Sequence, residues 1–87
     1  MKATKQATRK ARMIKVTARM IVDAILSGAH TEEAIKRNQG LVFSPHFDNA
    51  IEWLEDNGII EQSSDNLANE SGYFMRSDAW MNLSYII

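Results

Sequence analysis

The chain contains no cysteine, which excludes disulfide frameworks, thiolate zinc sites and thiol nucleophiles and makes a reducing compartment, the cytoplasm, the expected location. Long apolar runs are missing too. No stretch approaches the roughly 18 to 20 residues of a membrane span, and "MIVDAIL" is interrupted by Asp23. Repeats, low-complexity tracts and linker-like segments are also lacking, so the 87 residues read as one domain with a small core and no membrane contact. With 45% hydrophobic and 24% charged residues, the composition is that of a globular chain rather than a disordered one.

Two further absences concern charge. No acid precedes Asp23, and no lysine or arginine occurs from Asn38 to Met75. Lys2, Lys5, Arg9, Lys10, Arg12, Lys15 and Arg19 place seven of the ten cations in the first nineteen residues, while only Lys36, Arg37 and Arg76 stand against the eleven acids that follow. The net charge of −1 therefore conceals a strong dipole, and a polyanion would be drawn to the N-terminal part. That basic start has the composition of a transit peptide, but it continues without a break into core-patterned helix.

From about Ala7, the residues Ala7, Ala11, Ile14, Ala18, Ile21, Val22 and Ile25 recur at steps of three and four and define one helical face, with Gly28 as the stop. Lys5, Arg9, Arg12, Lys15 and Arg19 follow the same spacing on a neighbouring face. Met13, Val16 and Met20 form a second apolar strip, which predicts packing on another element or another chain. A second helix is expected over "TEEAIKRNQG", with Thr31 as N-cap, Glu32 and Glu33 at the positive end of the dipole and Gly40 as terminator. For the third, Ser44 before Pro45 signals a capped start and Gly58 the end, with Phe47, Ala50, Ile51 and Leu54 inward. "GIIEQ", the turn-forming "SSDNLANESG" and "YFMRS" predict a hairpin, and "DAWMNLSYII" a last helical segment for which a strand is the alternative.

The order helix, helix, helix, strand, turn, strand is that of a winged helix, and the residues resemble that family. "SPHFDNAIEWLEDNGIIE" is similar to its third helix, ending in Leu-Glu-x-x-Gly before an Ile-Ile strand, and "GYFMRSDAW" to its return strand. The resemblance covers most of residues 13–80 and implies a mainly α fold with a small β-hairpin, an α+β domain over residues 1–87 with a basic arm at about 1–19. It further implies double-stranded DNA as partner and a regulatory role in transcription. Compact chains of this length are frequent in phages and plasmids. In that reading Lys5, Arg9, Lys10, Arg12, Lys15 and Arg19 hold phosphates while Ser44, His46 and Asn49 of the third helix face base edges. The sequence departs from DNA-reading members of the family at the outer face of that helix, where they carry basic or neutral polar side chains and this chain carries acids. The alternative is therefore a winged helix that binds protein through Asp48, Glu52, Trp53 and Glu55, with a homodimer or head-to-tail association of copies as further outcomes.

Nothing in the pattern calls for catalysis or a cofactor. His30 and His46 are the only histidines, read as solvated or capping side chains, and neither gathers the three or four ligands a zinc site needs. No phosphate-cradling glycine loop or arguable nucleophile set is present. Phe43, Phe47, Phe74 and Trp80 read as core residues, with Tyr73 and Tyr85 sharing that role. Trp53 lies off the buried line of its helix, either covered by the C-terminal segment or exposed as a binding anchor.

Overall fold

A computed structural model of the chain describes residues 5–65 and 70–81, and the side chains of residues 9–62, 72–79 and 81 within them. Three helices, α1 (Lys5–Leu26), α2 (Glu32–Gln39) and α3 (Phe47–Asp56), precede an antiparallel hairpin of β1 (Ile60–Asp65) and β2 (Glu70–Met75) and a short 3-10 turn, Ala79–Met81. This is an α+β fold of winged-helix-like topology. The side chains of Lys5, Ala7 and Trp80, and all of Leu83, Tyr85 and Ile87, lie outside the described set, so the expected final segment is described only as far as its first turn.

The helices end by one device. Gly28, Gly40 and Gly58 have φ of 104°, 67° and 70°, the left-handed region that side chains with a Cβ rarely adopt. Each reversal lets the next residue bond back five positions: Ala29 to Ala24, Leu41 to Lys36 and Ile59 to Leu54, with N–H donating to carbonyl at 3.0, 2.7 and 2.9 Å. Leu41 and Ile59 are thereby thrown into the core. At the other end of α2, the Thr31 hydroxyl accepts the Ala34 N–H at 3.1 Å, as its N-cap position predicts.

The core joins α1 residues Ala18, Ile21, Val22, Ala24 and Ile25 to Ile35 and Leu41, to Phe47, Ala50, Ile51 and Leu54 of α3, and to Ile59 and Ile60 at the start of the hairpin. Alternation in β1 puts Ile60 inside and Glu61 outside.

Four expectations need correcting. Phe43 is not a core residue but is 96% exposed: the Ser44 N–H bonds the Leu41 carbonyl at 3.0 Å, and this tight turn lifts Val42 and Phe43 off the surface while Leu41 takes the core position. The third helix starts at Phe47 rather than at Pro45, because the Ser44 hydroxyl accepts the His46 N–H at 3.3 Å and makes a local turn instead of a cap. Ala11 is exposed, since the packed face of α1 begins only at Ile14, which is half-buried.

His30 is not the solvated or capping side chain expected of it. Its carbonyl accepts the Tyr73 N–H at 2.7 Å, its ring Nδ1 lies 3.1 Å from the Tyr73 carbonyl, and the ring stacks on Phe74 with centroids 4.3 Å apart. A carbonyl only accepts, so Nδ1 carries the proton. One residue of the α1–α2 loop thus pins β2 to the helical body. The approach requires Gly72, where a Cβ would stand 2.8 Å from the His30 carbonyl oxygen.

Two stability predictions follow from this packing. Leu54→Ala, which empties a fully buried position, should destabilise by about 2 to 5 kcal/mol, and Glu55→Ala by less than about 0.5 kcal/mol; equal denaturant midpoints for the two would contradict the buried face of α3. Gly72→Ala should cost about 1 to 3 kcal/mol, because the obstructing atom is backbone and cannot rotate away. A melt unchanged by that substitution would remove the His30 clamp from the account.

Candidate functional surface

At about 100° per residue, Arg12, Lys15 and Arg19 project within about 60° of one another on the side of α1 opposite the buried Ile21, with Arg9 to one flank. All four are exposed. Lys10, grouped with them by sequence, shares the meridian of Ile14 and Ile21 and faces α3. There it lines a shallow groove of about 270 Å³ with Ile14, Asn49, Glu52, Trp53 and Asp56. The structure thus brings Lys10 together with Asn49, Glu52 and Trp53, and it separates them from Arg12, Lys15 and Arg19. The side chain of Lys5 is outside the described set.

Ser44 and His46 sit in the turn before α3, both half-buried, and Asn49 is exposed one turn into the helix. His46 occupies the N-cap position without making a side-chain cap. Asp48, Glu52, Glu55 and Asp56 form the solvent face of α3. Trp53 is half-buried and packs against the core while one side borders the groove. Its carbonyl accepts the Asn57 side-chain amide at 2.8 Å, which helps fix the end of the helix.

The cations divide by what they meet. Lys36 lies 3.6 Å from Glu32 and its ammonium stands 4.7 Å from the Phe47 ring centroid; Arg37 bonds Glu33 at 2.9 Å, and Arg76 bonds Asp78 at 3.1 Å. Arg76, the one cation on the return strand side, is therefore already matched, and its guanidinium holds the Asp78 carboxyl below the usual carboxylate value. Arg9, Lys10, Arg12, Lys15 and Arg19 form no ion pair among the described residues.

On the other side the field is negative. The Tyr73 phenol is raised above its ordinary value, first by burial and then by the charges of Glu32, Glu55 and Asp48. These carboxylates belong to α2 and α3, so the wing root lies in their combined potential. Among the described residues no group of three or more histidines and acids could hold a metal ion. No described helix is long and apolar enough to cross a membrane.

The basic stripe was legible from spacing, whereas the turning of Lys10 toward α3 needed the helical angle of each residue rather than its charge.

Tyr73 offers a check on the negative side. Its phenol should lose its proton above the ordinary tyrosine value of about 10, seen as the difference in alkaline absorbance titration between the wild type and Tyr73→Phe. Because the folded state holds this proton more tightly than the unfolded one, the associated stability is present below the unfolded value and lost as pH rises through the folded one. Glu32→Gln, removing the largest of the charge contributions, should move the transition down. An unmoved transition would detach Tyr73 from the acidic face.

No protein-family model, curated protein or solved structure matches this chain.

Proposed function

We propose that the chain is a winged-helix module acting as a small non-enzymatic DNA-associated regulator, with the outward stripe of α1 as its phosphate contact. One observation carries this reading: Arg9, Arg12, Lys15 and Arg19 are exposed on one side of a helix with no acid before Asp23, whereas Lys36, Arg37 and Arg76 are each matched to a carboxylate. Unmatched like charges on one helix repel each other, and a phosphate backbone relieves that repulsion while releasing its own counterions. Binding of this kind is strongly salt-dependent and largely indifferent to base sequence. Ser44, His46 and Asn49 remain the candidates for base contact, but they lie across the α1–α3 contact from the stripe and beside four carboxylates. The stripe is therefore the anchor, and the cytoplasm is the compartment this reading implies.

Replacing Arg9, Arg12 and Arg19 with alanine should weaken binding to duplexes of any sequence to a similar degree and lower the salt slope by about one unit per lost contact. Lys10→Ala should have less effect than Arg12→Ala, since it points away from the stripe. Binding unchanged in the triple variant, followed by fluorescence anisotropy across a salt series, would refute the reading.

A second reading has its own support in Trp53, half-buried at the groove and bordered by Glu52 and Asp56. An aromatic ringed by carboxylates suits a basic protein partner. Replacing Glu52 and Glu55 with glutamine separates the two. With the stripe as the DNA contact the substitution leaves duplex affinity nearly unchanged; with α3 against phosphates it tightens binding at low salt. With a protein partner it slows association, and Trp53→Ala costs more than about 2 kcal/mol.

A further inference from the structure

The two unmatched faces of the molecule complement each other. On α1, Met13 and Val16 are 45% and 47% exposed. At about 100° per residue they form, with half-buried Met20, an apolar strip adjoining Arg9, Arg12 and Arg19. On α3, Trp53 is the apolar element, bordered in the groove by Glu52 and Asp56, while Asp48 and Glu55 carry exposed charge further round the helix. Each face thus carries an apolar element edged by charge, of opposite sign in the two. We infer that the occupant of both is a second copy of this chain, the basic strip of one molecule lying along the acidic face of α3 in the next.

Self-pairing of like faces is opposed by charge. Two α1 strips would bring Arg9, Arg12, Lys15 and Arg19 against their own kind, with Asp23 as the lone acid on the helix, and two α3 faces would oppose four carboxylates to four. The head-to-tail contact unites opposite signs except at Asp23, which falls between Arg12 and Val16 round α1, and at Lys10 on the far wall of the groove.

The strip faces away from the core on α1, and the carboxylates face away from it on α3, so the contact joins unlike faces. The contact is heterologous, and it propagates into open chains or closes only as a ring of several copies. About three turns of α1 against fewer of α3 make a contact at the small end of specific interfaces, so association is weak and reversible. It does not rest on the nucleic-acid reading, because it requires α3 as much as the stripe.

Sedimentation velocity of the full chain over a concentration series tests the inference. In about 0.01 M salt, where screening extends to about 30 Å, the weight-average mass should rise about twofold or more with concentration, and in about 1 M salt it should stay at the monomer value. Glu52→Lys with Glu55→Lys, and separately Arg9→Glu with Arg12→Glu, should each abolish the rise. An equimolar mixture of the two variants should restore it, because every contact in the mixture again unites opposite charges. The milder pair Glu52→Gln and Glu55→Gln should weaken association, and circular dichroism melts establish that each variant is folded. A wild-type mass independent of concentration at low salt, association that survives either reversal, or a mixture that stays monomeric would overturn the proposal. DNA binding measured at protein concentrations below the rise in mass, where the stripe is free in the wild type and in the Glu52→Gln, Glu55→Gln variant alike, reports on the other reading separately.

Discussion

Everything in this fold depends on one small core to which each helix and the start of the hairpin bring at least one large side chain. Ile21 from α1, Ile35 from α2, Phe47 and Leu54 from α3, and Ile59 and Ile60 at the hairpin are all essentially inaccessible. A chain of this size has no second core to fall back on, so the turns between elements must deliver residues to the first. The left-handed glycines do so by reversing the chain within two residues and sending Leu41 and Ile59 inward. The small Ala18, Ala24 and Ala50 are fully buried, so the core closes on residues that take little volume.

That economy leaves much of α1 without a task in folding. Its packed face runs from Ile14 to Ile25, while residues 9–13 are exposed. A helix end that only served the fold would normally carry acids near its N-terminus and opposite charges at i,i+4, as α2 does with Glu32–Lys36 and Glu33–Arg37. α1 has neither. Its cations sit at the positive end of the dipole and repel one another along the stripe, at about 0.2 to 0.5 kcal/mol for each like pair at that spacing. The sequence tolerates these small costs in the free molecule, and an anionic surface removes them. That asymmetry, rather than the fold, argues for a partner at α1.

Local rules made most of the architecture legible in the sequence. Thr31, Gly28, Gly40 and Gly58 act on their own neighbours, and the three-and-four spacing of Phe47, Ala50, Ile51 and Leu54 depends on one helix alone. Contacts between distant residues were not legible. His30 and Tyr73 are 43 positions apart, and nothing near either residue announces that one will clamp the other. Phe43 failed for a different reason: hydrophobicity predicts a preference for the interior, whereas the backbone turn from Leu41 to Ser44 decides which of three consecutive apolar side chains receives the place. Ser44 and Pro45 have the composition of a helix start, but the hydroxyl takes the N–H of His46, the residue just before the helix, and caps nothing within it.

The same reasoning bears on how a winged-helix-like body with an acidic third helix can be used. Helices packed face to face stand about 8 to 10 Å apart, and here the charged surfaces of α1 and α3 both look outward from that contact. A straight duplex on the stripe therefore meets the back of α1 and stays clear of Glu52 and Glu55. Bringing Asn49 to a base edge would instead move the phosphates onto those carboxylates and away from Arg12, Lys15 and Arg19. The two arrangements exclude each other on one duplex. Since the α1 cations are the groups left unmatched among the described residues, the proposed phosphate contact falls on the stripe and not on α3.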